Sequence, residues 1–256
     1  MRDSLRHFVA EFVGTFALVF VGGAAIMTAG TNPVGLLQIA LAHGLILALL
    51  VSALMRISGH FNPAVTIGFL VARRIEANMA GLYVVAQLLG AMIAAYALKF
   101  TFPAAIFAAA QGGGQSISPD ITGGQAFALE AIATFFLVFV VFGTAVDQRG
   151  PKVGGFAIGL TVAADILAIG PLTGGSMNPA RSFGPAVATG IFVGQFYYWV
   201  APITGGIIAA LLYDTLFLRS GPEPLDHGEL DPIASDAPPP RRPRRSGKSG
   251  AADRHE

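Results

Sequence analysis

Two copies of the tripeptide Asn-Pro-Ala are the residues of this sequence whose chemistry is easiest to assign. They stand at 62–64, within "SGHFNPAVTIG", and at 178–180, within "GGSMNPARSFGPA", and each interrupts a strongly apolar stretch. Asparagine is a preferred helix N-cap and proline is favoured at the first helical position, so each tripeptide predicts the start of a helix. The asparagine amide supplies hydrogen-bond donors and an acceptor but no ionisable group. These residues therefore predict polar contacts inside an apolar region.

Side chains that carry catalysis or ligate metals are few and scattered. The five histidines stand at positions 7, 43, 60, 227 and 255, and cysteine is absent from the sequence. Neither a nucleophile–base spacing nor a metal-ligand spacing occurs among them. We therefore expect a protein that is not an enzyme and that holds neither a cofactor nor a metal.

The elements that must position the two tripeptides are predicted by composition. Hydrophobic residues make up 54% of the 256 residues and charged residues 12%, with a mean hydropathy of +0.64, whereas a soluble domain carries about 25% charged residues. Apolar runs near the ~20 residues that a helix needs to cross a bilayer predict an all-α membrane protein with six spans. These runs lie at about 8–28, 35–55, 80–101, 126–146, 154–172 and 196–217.

Basic residues indicate how these spans are oriented. They concentrate before the first span, in the links after the second and fourth spans, and after the sixth span, while the opposite links hold only Lys99 and Arg181. The positive-inside rule then predicts a multi-pass protein of the cell membrane (plasma or inner) with both termini cytoplasmic. The first span contains Glu11 and runs long, so we interpret it as a retained helix and not a signal peptide. Residues 221–256, rich in proline and charge, predict a disordered cytoplasmic tail.

The two halves of the apolar region repeat each other. The stretch "AEFVGTFALVF" in the first half matches "LEAIATFFLVF" in the second, which aligns Glu11 with Glu130. Each repeat, at about 5–101 and 124–218, holds three spans, and this odd number makes the second repeat insert upside down. Inverted repeats of this kind share a site near the bilayer midplane.

Each Asn-Pro-Ala begins a helix too short to cross the membrane. The segments 63–73 and 179–189 are about 15 Å long, which is half of the hydrocarbon thickness. Irregular backbone at membrane depth is tolerated only where protein buries it or where it lines an aqueous cavity. We therefore expect two half-helices of opposite direction that meet at the midplane and fill the place of a seventh span. The carbonyls before each asparagine would then face a pore.

At these residues the sequence resembles the aquaporin and glycerol-facilitator family, the major intrinsic proteins, over about residues 5–218. The resemblance implies the aquaporin-like fold of six transmembrane helices and two half-helices, in a channel domain over residues 1–220. It also implies a passive channel for water and small neutral solutes in the lipid bilayer, assembled as a homotetramer with one pore per subunit and without a nucleic-acid partner. The midplane of the pore would be formed by Asn62, Pro63, Ala64, Asn178, Pro179 and Ala180.

The same resemblance assigns a selectivity filter on the outer side of the pore to four residues: His43, Ile166, Gly175 and Arg181. This combination is similar to that of a subgroup of plant tonoplast intrinsic proteins linked with water and ammonia, on an overall pattern like that of a bacterial water channel. Gly175 has no side chain and Ile166 is aliphatic. We therefore expect a wider and less polar opening than a strict water filter.

Two further roles follow from the resemblance. Pore-lining carbonyls are expected in two short runs of the chain: Gly59, His60, Phe61, Gly174, Gly175 and Ser176. Glu11 and Glu130 are expected to accept hydrogen bonds from backbone N–H groups of these two loops. The link from His43 to Asn62 is one residue shorter than is usual in the family, which bears on the path of the first loop.

Other functions stay open at this point. Ser182, Ala186 and the pair Tyr198-Trp199 favour water over glycerol by resemblance, and a facilitator for glycerol or urea is the first alternative. Broken helices in an inverted repeat are also typical of secondary transporters, in which Asp165 would be the ion-coupling carboxylate. An intramembrane carboxylate costs ~2.5–3.5 kcal/mol at the membrane centre, so Asp165 needs a partner or contact with water. A structural or adhesion role is the third alternative.

Overall fold

The computed structural model describes residues 2–30, 32 and 34–219, so the predicted tail at 221–256 lies outside the described residues. In the described part the chain is helical, without β-strands. Its α-helices are α1 Arg2–Ala29, α2 Gly35–Leu54, α3 Pro63–Val71, α4 Ala77–Thr101, α5 Ala104–Ala109, α6 Gly123–Val141, α7 Gly154–Thr173, α8 Pro179–Thr189 and α9 Gln195–Tyr213. One π-helical turn extends α6 through Phe142–Val146 and another extends α9 through Asp214–Leu218.

Six helices of the described chain are long and apolar enough to cross a membrane, namely α1, α2, α4, α6, α7 and α9. They coincide with the six predicted spans, so the prediction of an all-α membrane fold is confirmed. α1 begins at Arg2, well before the first apolar run, and Asp3 in its first turn complements the positive end of the helix dipole. The short helix α5 follows Pro103 and was not predicted.

The two half-helices are α3 and α8, and each begins with its proline directly after its asparagine. α8 has the predicted bounds, whereas α3 ends at Val71, two residues before the predicted end. The left-handed backbone of Arg73 (φ 60°) prevents α3 from continuing further.

Both half-helices are anchored at the end that lies away from the asparagine. Beyond α3, Arg74 Nη2 donates to the Asp214 carboxylate at 2.5 Å, and Arg219 Nε donates to the same carboxylate at 2.6 Å. Asp214 is buried at the end of α9, where a carboxylate requires such partners. At the end of α8, Lys99 Nζ donates to the Ala188 carbonyl at 2.8 Å, and this cation offsets the negative end of the α8 dipole.

The helices pack in pairs that are related by the inverted repeat. α1 lies against α4 as α6 lies against α9, and α2 packs on α7, its counterpart in the other half. Each half-helix packs on a span of the opposite half, α3 on α9 and α8 on α4. The two halves therefore interlock, and neither one encloses the midplane by itself.

The contact between α2 and α7 depends on two glycines. A Cβ atom on Gly44 would lie 2.5 Å from the Gly159 carbonyl oxygen, and a Cβ on Gly159 would lie 2.2 Å from the Gly44 carbonyl oxygen. Both distances are shorter than van der Waals contact, so a side chain at either position would separate the helices. Small residues at helix crossings allow the close backbone packing that holds membrane helices together.

Candidate functional site

The asparagines of the two tripeptides are the N-caps of the half-helices. The Asn62 Oδ1 atom accepts a hydrogen bond from the Ala64 N–H at 2.8 Å. The Asn178 Oδ1 atom accepts from the Ala180 N–H at 3.0 Å and from the Arg181 N–H at 3.3 Å. These bonds satisfy backbone donors that a helix start leaves free. They also fix which end of each amide points away from its own helix.

The nitrogen of each amide reaches across to the opposite half of the chain. Asn62 Nδ2 donates to the Met177 carbonyl at 2.8 Å, and Asn178 Nδ2 donates to the Phe61 carbonyl at 2.8 Å. Each acceptor is the residue directly before the other asparagine. One N–H of each amide is therefore used to join the loops, and the second N–H of each takes no part in these bonds.

Two buried glutamates hold the loops that precede the asparagines. The His60 and Phe61 N–H groups donate to Glu11 at 2.8 and 2.7 Å. In the second half, the Ser176 and Met177 N–H groups donate to Glu130 at 2.9 and 2.8 Å. Because both N–H groups of each loop point back to a carboxylate, the loop carbonyls are free to face the other way.

The residue before each asparagine has a left-handed backbone, with φ 48° at Phe61 and φ 51° at Met177. This conformation is uncommon for a residue with a side chain and costs of order 1–3 kcal/mol. The bonds from Glu11 and Glu130 to the N–H groups of these same two residues offset that cost. The strain is thus located at the bend where each loop turns into its half-helix.

The two glutamate sites differ in their remaining contacts. Glu11 also accepts hydrogen bonds from the Ser58 hydroxyl and, at 2.6 Å, from Gln87 Nε2. Gln87 Nε2 donates at 2.9 Å to Thr66 in α3 as well. In the second half, the Thr173 hydroxyl accepts a hydrogen bond from the Gly175 N–H at 3.2 Å. The first loop is therefore additionally fastened to α4 through Gln87.

A cavity of about 30 Å³ joins these features. Its polar lining comes from Asn62, Asn178, His43 and Arg181 and from the loop residues Gly59, His60, Phe61, Gly175, Ser176 and Met177. The rest of its wall is aliphatic, from Leu18, Val65, Leu137, Val141, Ile158 and Val162 among others. The cavity is therefore narrow and apolar, with polar groups at the asparagines and at one end.

His43 and Arg181 form one hydrogen-bonded unit at that end. The His43 Nδ1 atom lies 2.8 Å from the Ile39 carbonyl and must donate to it, so the neutral ring presents Nε2 as an acceptor. Arg181 Nε and Nη2 lie 3.2 and 2.9 Å from that Nε2 atom. Both ring nitrogens of His43 are therefore occupied.

The Arg181 guanidinium is buried and only partly hydrogen-bonded. Its side chain is buried, with 3% of the residue exposed, and its Nη1 atom has no hydrogen-bond partner in the described part of the chain. Ile166, which is 1% exposed, and Gly175 complete the wall beside it. All four residues predicted for the filter thus line the cavity, and the Nη1 group of Arg181 has no partner in the described residues.

The two glycines of the second loop lie in different cavities. Both have left-handed backbones, with φ 82° at Gly174 and φ 57° at Gly175, a conformation that residues with a Cβ rarely adopt. Gly175 lines the 30 Å³ cavity, whereas Gly174 lines an adjoining cavity of about 370 Å³ that shares Ile166 with the first. We take this wider cavity as the entrance to the filter.

Comparison with known proteins places this geometry in a family. The family model described as major intrinsic protein matches residues 1–213. The chain belongs to the major intrinsic proteins. Among its relatives, aquaporin TIP4-4 of Zea mays is 42% identical over 241 residues, covering 89% of this chain and 93% of the relative. The probable aquaporin TIP2-1 of Oryza sativa subsp. japonica is 45% identical over 232 residues, covering 85% and 90%.

A solved structure shares the fold of this major intrinsic protein. The aquaglyceroporin from Plasmodium falciparum superposes with a TM-score of 0.70 at 28% sequence identity, covering 83% of this chain and 96% of that chain. Together with the six spans, the family establishes an integral multi-pass membrane protein. It is a passive transmembrane water channel and not an enzyme.

Two residues near the cavity of this major intrinsic protein were missed by sequence reasoning. Met177 lines the cavity and accepts the bond from Asn62. Gln115, in the loop after α5, lines the 370 Å³ entrance, and both polar atoms of its amide are buried without a partner in the described residues. Its glycine-rich context, "QGGGQS", predicts a loop but gives no sign of where the loop folds.

Asp165 does not line the 30 Å³ cavity, although it directly precedes Ile166 in α7. The Asp165 side chain is half-buried, and its Oδ2 atom is buried without a hydrogen-bond partner in the described residues. The carboxylate therefore lies beside the cavity wall and not on the path along its axis.

Proposed function

We propose that this major intrinsic protein conducts water through the cavity between the two asparagines and the filter, and that it conducts ammonia as well. The observation that carries the proposal is the state of the filter. His43 bonds to the Ile39 carbonyl through Nδ1 and to Arg181 through Nε2, and the Nη1 amino group of Arg181 has no partner in the described residues. A solute there meets a fixed donor but no acceptor side chain.

The polar groups along the cavity suit a neutral solute that accepts hydrogen bonds. The second N–H of Asn62 and of Asn178 faces the same space as the positive ends of the two half-helix dipoles. Donors of this kind orient the oxygen of a passing water, and positive potential repels cations and protons. The cavity would therefore pass water in single file while interrupting a continuous chain of hydrogen bonds.

The case for ammonia rests on the cost of entering the filter. Ammonia resembles water in size and can accept a bond from Arg181, but it sheds its hydration more easily than an ion does. Gly175 adds no side chain and Ile166 offers no polar atom, so the opening favours a solute that needs few replacement hydrogen bonds.

Glycerol is the second candidate, because the solved structure that shares this fold is described as an aquaglyceroporin. A secondary transporter that uses Asp165 is disfavoured, since that carboxylate does not line the cavity.

Flux into proteoliposomes tests these proposals. Stopped-flow light scattering reports water and glycerol, and internal alkalinisation after an ammonium jump reports ammonia. Ile166→His would add a polar ring to the filter wall, and Ile166→Leu is the matched control of similar volume. We expect the ratio of ammonia flux to water flux to fall for Ile166→His and to hold for Ile166→Leu. An equal ratio in all three proteins would contradict the ammonia proposal, and glycerol flux on the scale of water flux would favour a facilitator.

The orientation and the assembly are part of the same proposal. The distribution of basic residues supports cytoplasmic termini in the cell membrane, and membership of the family supports a homotetramer with one pore per subunit. Protease accessibility of an N-terminal tag in intact cells tests the orientation. Light scattering of the detergent-solubilised protein, corrected for bound detergent, tests the tetramer.

A further inference from the structure

One face of α1 lies directly behind the cavity. Gly14, Leu18 and Gly22 are spaced four residues apart, so they share this face. Leu18 lines the cavity, while the two glycines lie under other residues of the site. A Cβ atom on Gly22 would lie 2.2 Å from His43 Nε2 and 2.5 and 2.6 Å from two ring carbons of His43. The His43 ring therefore occupies the space that a side chain at position 22 would need.

The His43 ring has no room to retreat from such a side chain. It is 1% exposed, and its two nitrogens are bonded to the Ile39 carbonyl and to Arg181. Any shift away from α1 moves the ring toward the cavity and displaces the guanidinium that it holds. The position of Arg181 in the filter therefore depends on the lack of a side chain at Gly22 in α1. Gly22 itself does not line the cavity.

The inverted repeat supplies an internal comparison. The alignment of Glu11 with Glu130 places Val141 of α6 at the position of Gly22, and "AHGLIL" aligned with "AIGLTV" places Ile158 of α7 at the position of His43. In the second half both residues line the cavity. The second half therefore has two aliphatic side chains, Val141 and Ile158, where the first half has a glycine and a large histidine ring. Gly22 is thus the change that accommodates a polar ring.

We propose that Gly22 is a specificity-determining positioning residue, whose missing side chain lets His43 dock against α1 and hold Arg181 at the wall of the filter. This inference rests on the proposed function, because it explains how Arg181 is positioned in the proposed filter. Overpacking a filled site forces side chains out of their rotamers. Here the displaced side chain is the one that fixes the donor of the filter.

The test compares Gly22→Ala in the full chain with Gly22→Ala in a His43→Ala background. We expect water permeability per channel to fall roughly tenfold in the single variant, since an overpacking penalty placed in the filter changes a rate by about that order. In the His43→Ala background the methyl group meets no ring, so Gly22→Ala should change neither permeability nor the ratio of ammonia to water flux. Gly81→Ala is the control for helix propensity, because a Cβ there meets nothing within 4 Å.

Two outcomes overturn the inference. One is a Gly22→Ala channel that matches the parent, and the other is a loss of equal size with and without the His43 ring, which would show a defect in helix packing. Thermal unfolding of the parent, Gly22→Ala, His43→Ala and the double variant gives a second readout that needs no transport. Gly22→Ala should lower the midpoint only when His43 is present. Absence of water flux in the parent would refute the proposed function, while this thermal comparison would still decide the inference.

Discussion

The asparagine side chains combine structural bonds with the role that we propose for them in conduction. In Asn178, Oδ1 caps α8 and one N–H of Nδ2 bonds to the Phe61 carbonyl. The remaining N–H is therefore held in a fixed direction by two bonds that a passing molecule does not break. A donor that is oriented before the solute arrives costs no ordering at the moment of contact.

We predict that Asn178→Asp lowers water permeability and weakens proton exclusion. The carboxylate would face the Phe61 carbonyl without a proton to donate, and it would place a negative charge at the midplane. Leaving a buried acceptor pair unsatisfied costs of order 1–3 kcal/mol, and more with a charge. Proteoliposome swelling and a pH-sensitive dye inside the vesicles measure the two effects. Asn78→Asp, at an exposed position near the start of α4, is the control, and equal behaviour of both variants would refute the role of Asn178.

A second prediction concerns the filter wall. The chain has no cysteine, so it should resist mercurial block. Ile166→Cys places a thiol in the cavity and should make water flux sensitive to a membrane-impermeant mercurial, with recovery on adding a reducing thiol. Ile166 suits this better than Gly175, whose left-handed backbone does not favour a side chain. Leu167→Cys, on the exposed outer face of α7, should stay resistant. If the mercurial blocked Leu167→Cys and not Ile166→Cys, the assignment of Ile166 to the cavity wall would be wrong.

Among the elements, the half-helices are ordered mainly by what they contact. α3 and α8 are short, and isolated helices shorter than ~12–15 residues are marginal in water. Each is fixed at its start by an asparagine cap and beyond its end by Asp214 or Lys99. Their position therefore depends on the spans around them.

The link between α6 and α7 is also fastened to a span, and this contact is pH-sensitive. Arg149 donates to Asp147 through Nε and Nη2, each at 2.9 Å, and Nη2 also donates to the Phe217 carbonyl at 2.5 Å. The Arg149 guanidinium holds the pKa of the Asp147 carboxyl below its usual value of 3.8. Because the pKa of Asp147 is lower in the folded protein, its ionised form stabilises this link at pH values above 3.8. The stabilisation is lost as the pH falls through the lowered pKa.

We therefore predict that acid loosens this link through Asp147. At about pH 6 the backbone amides of residues 147–150 should exchange more slowly in the parent than in Asp147→Asn, because an ionised Asp147 holds Arg149 on the end of α9. The difference should shrink as the pH falls to about 3. Hydrogen exchange followed by mass spectrometry measures it at matched pH. A difference that is constant across this range would exclude Asp147 as the titrating group.

For the whole molecule, the important property is that the two halves are completed by each other. The bond from Asn62 ends on the second loop and the bond from Asn178 ends on the first. α3 and α8 likewise pack on spans of the opposite halves. The midplane is therefore a junction between repeats, and its parts are not independent.

We predict that Asn62→Ala and Asn178→Ala are strongly non-additive in thermal stability. Once one substitution has broken the contact between the loops, the second removes fewer remaining interactions. The double variant should therefore lose less free energy of unfolding than the two single losses together, by about 0.5–3 kcal/mol. Unfolding of the detergent-solubilised channel measures each variant. The pair Asn78→Ala with Asn178→Ala should be additive within about 0.5 kcal/mol. Additivity of the first pair would mean that the loops do not depend on each other.

The sequence predicts the spans and the half-helices well, because both depend on local signals. Continuous apolar runs mark the spans, and Asn followed by Pro marks a helix start wherever the chain goes next. The bond from Asn62 to Met177 could not be predicted in this way, since it joins positions 115 residues apart. The same holds for the contact of Gly22 with His43 and for the position of Gln115. These depend on how α1, α2 and a glycine-rich loop pack in three dimensions.

The reciprocal bonds between the loops have a consequence for biosynthesis. The chain is made from its N-terminus, so α3 and its loop enter the membrane before α8 and α9 have left the ribosome. Until then the Asn62 amide and the Phe61 carbonyl lack the partners that they have in the finished channel, and an unsatisfied polar group in hydrocarbon costs several kcal/mol. The first half must therefore be sheltered by the insertion machinery or by water until the last span arrives. Those partners arrive with the loop before α8, whereas the span on which α3 packs arrives only with α9.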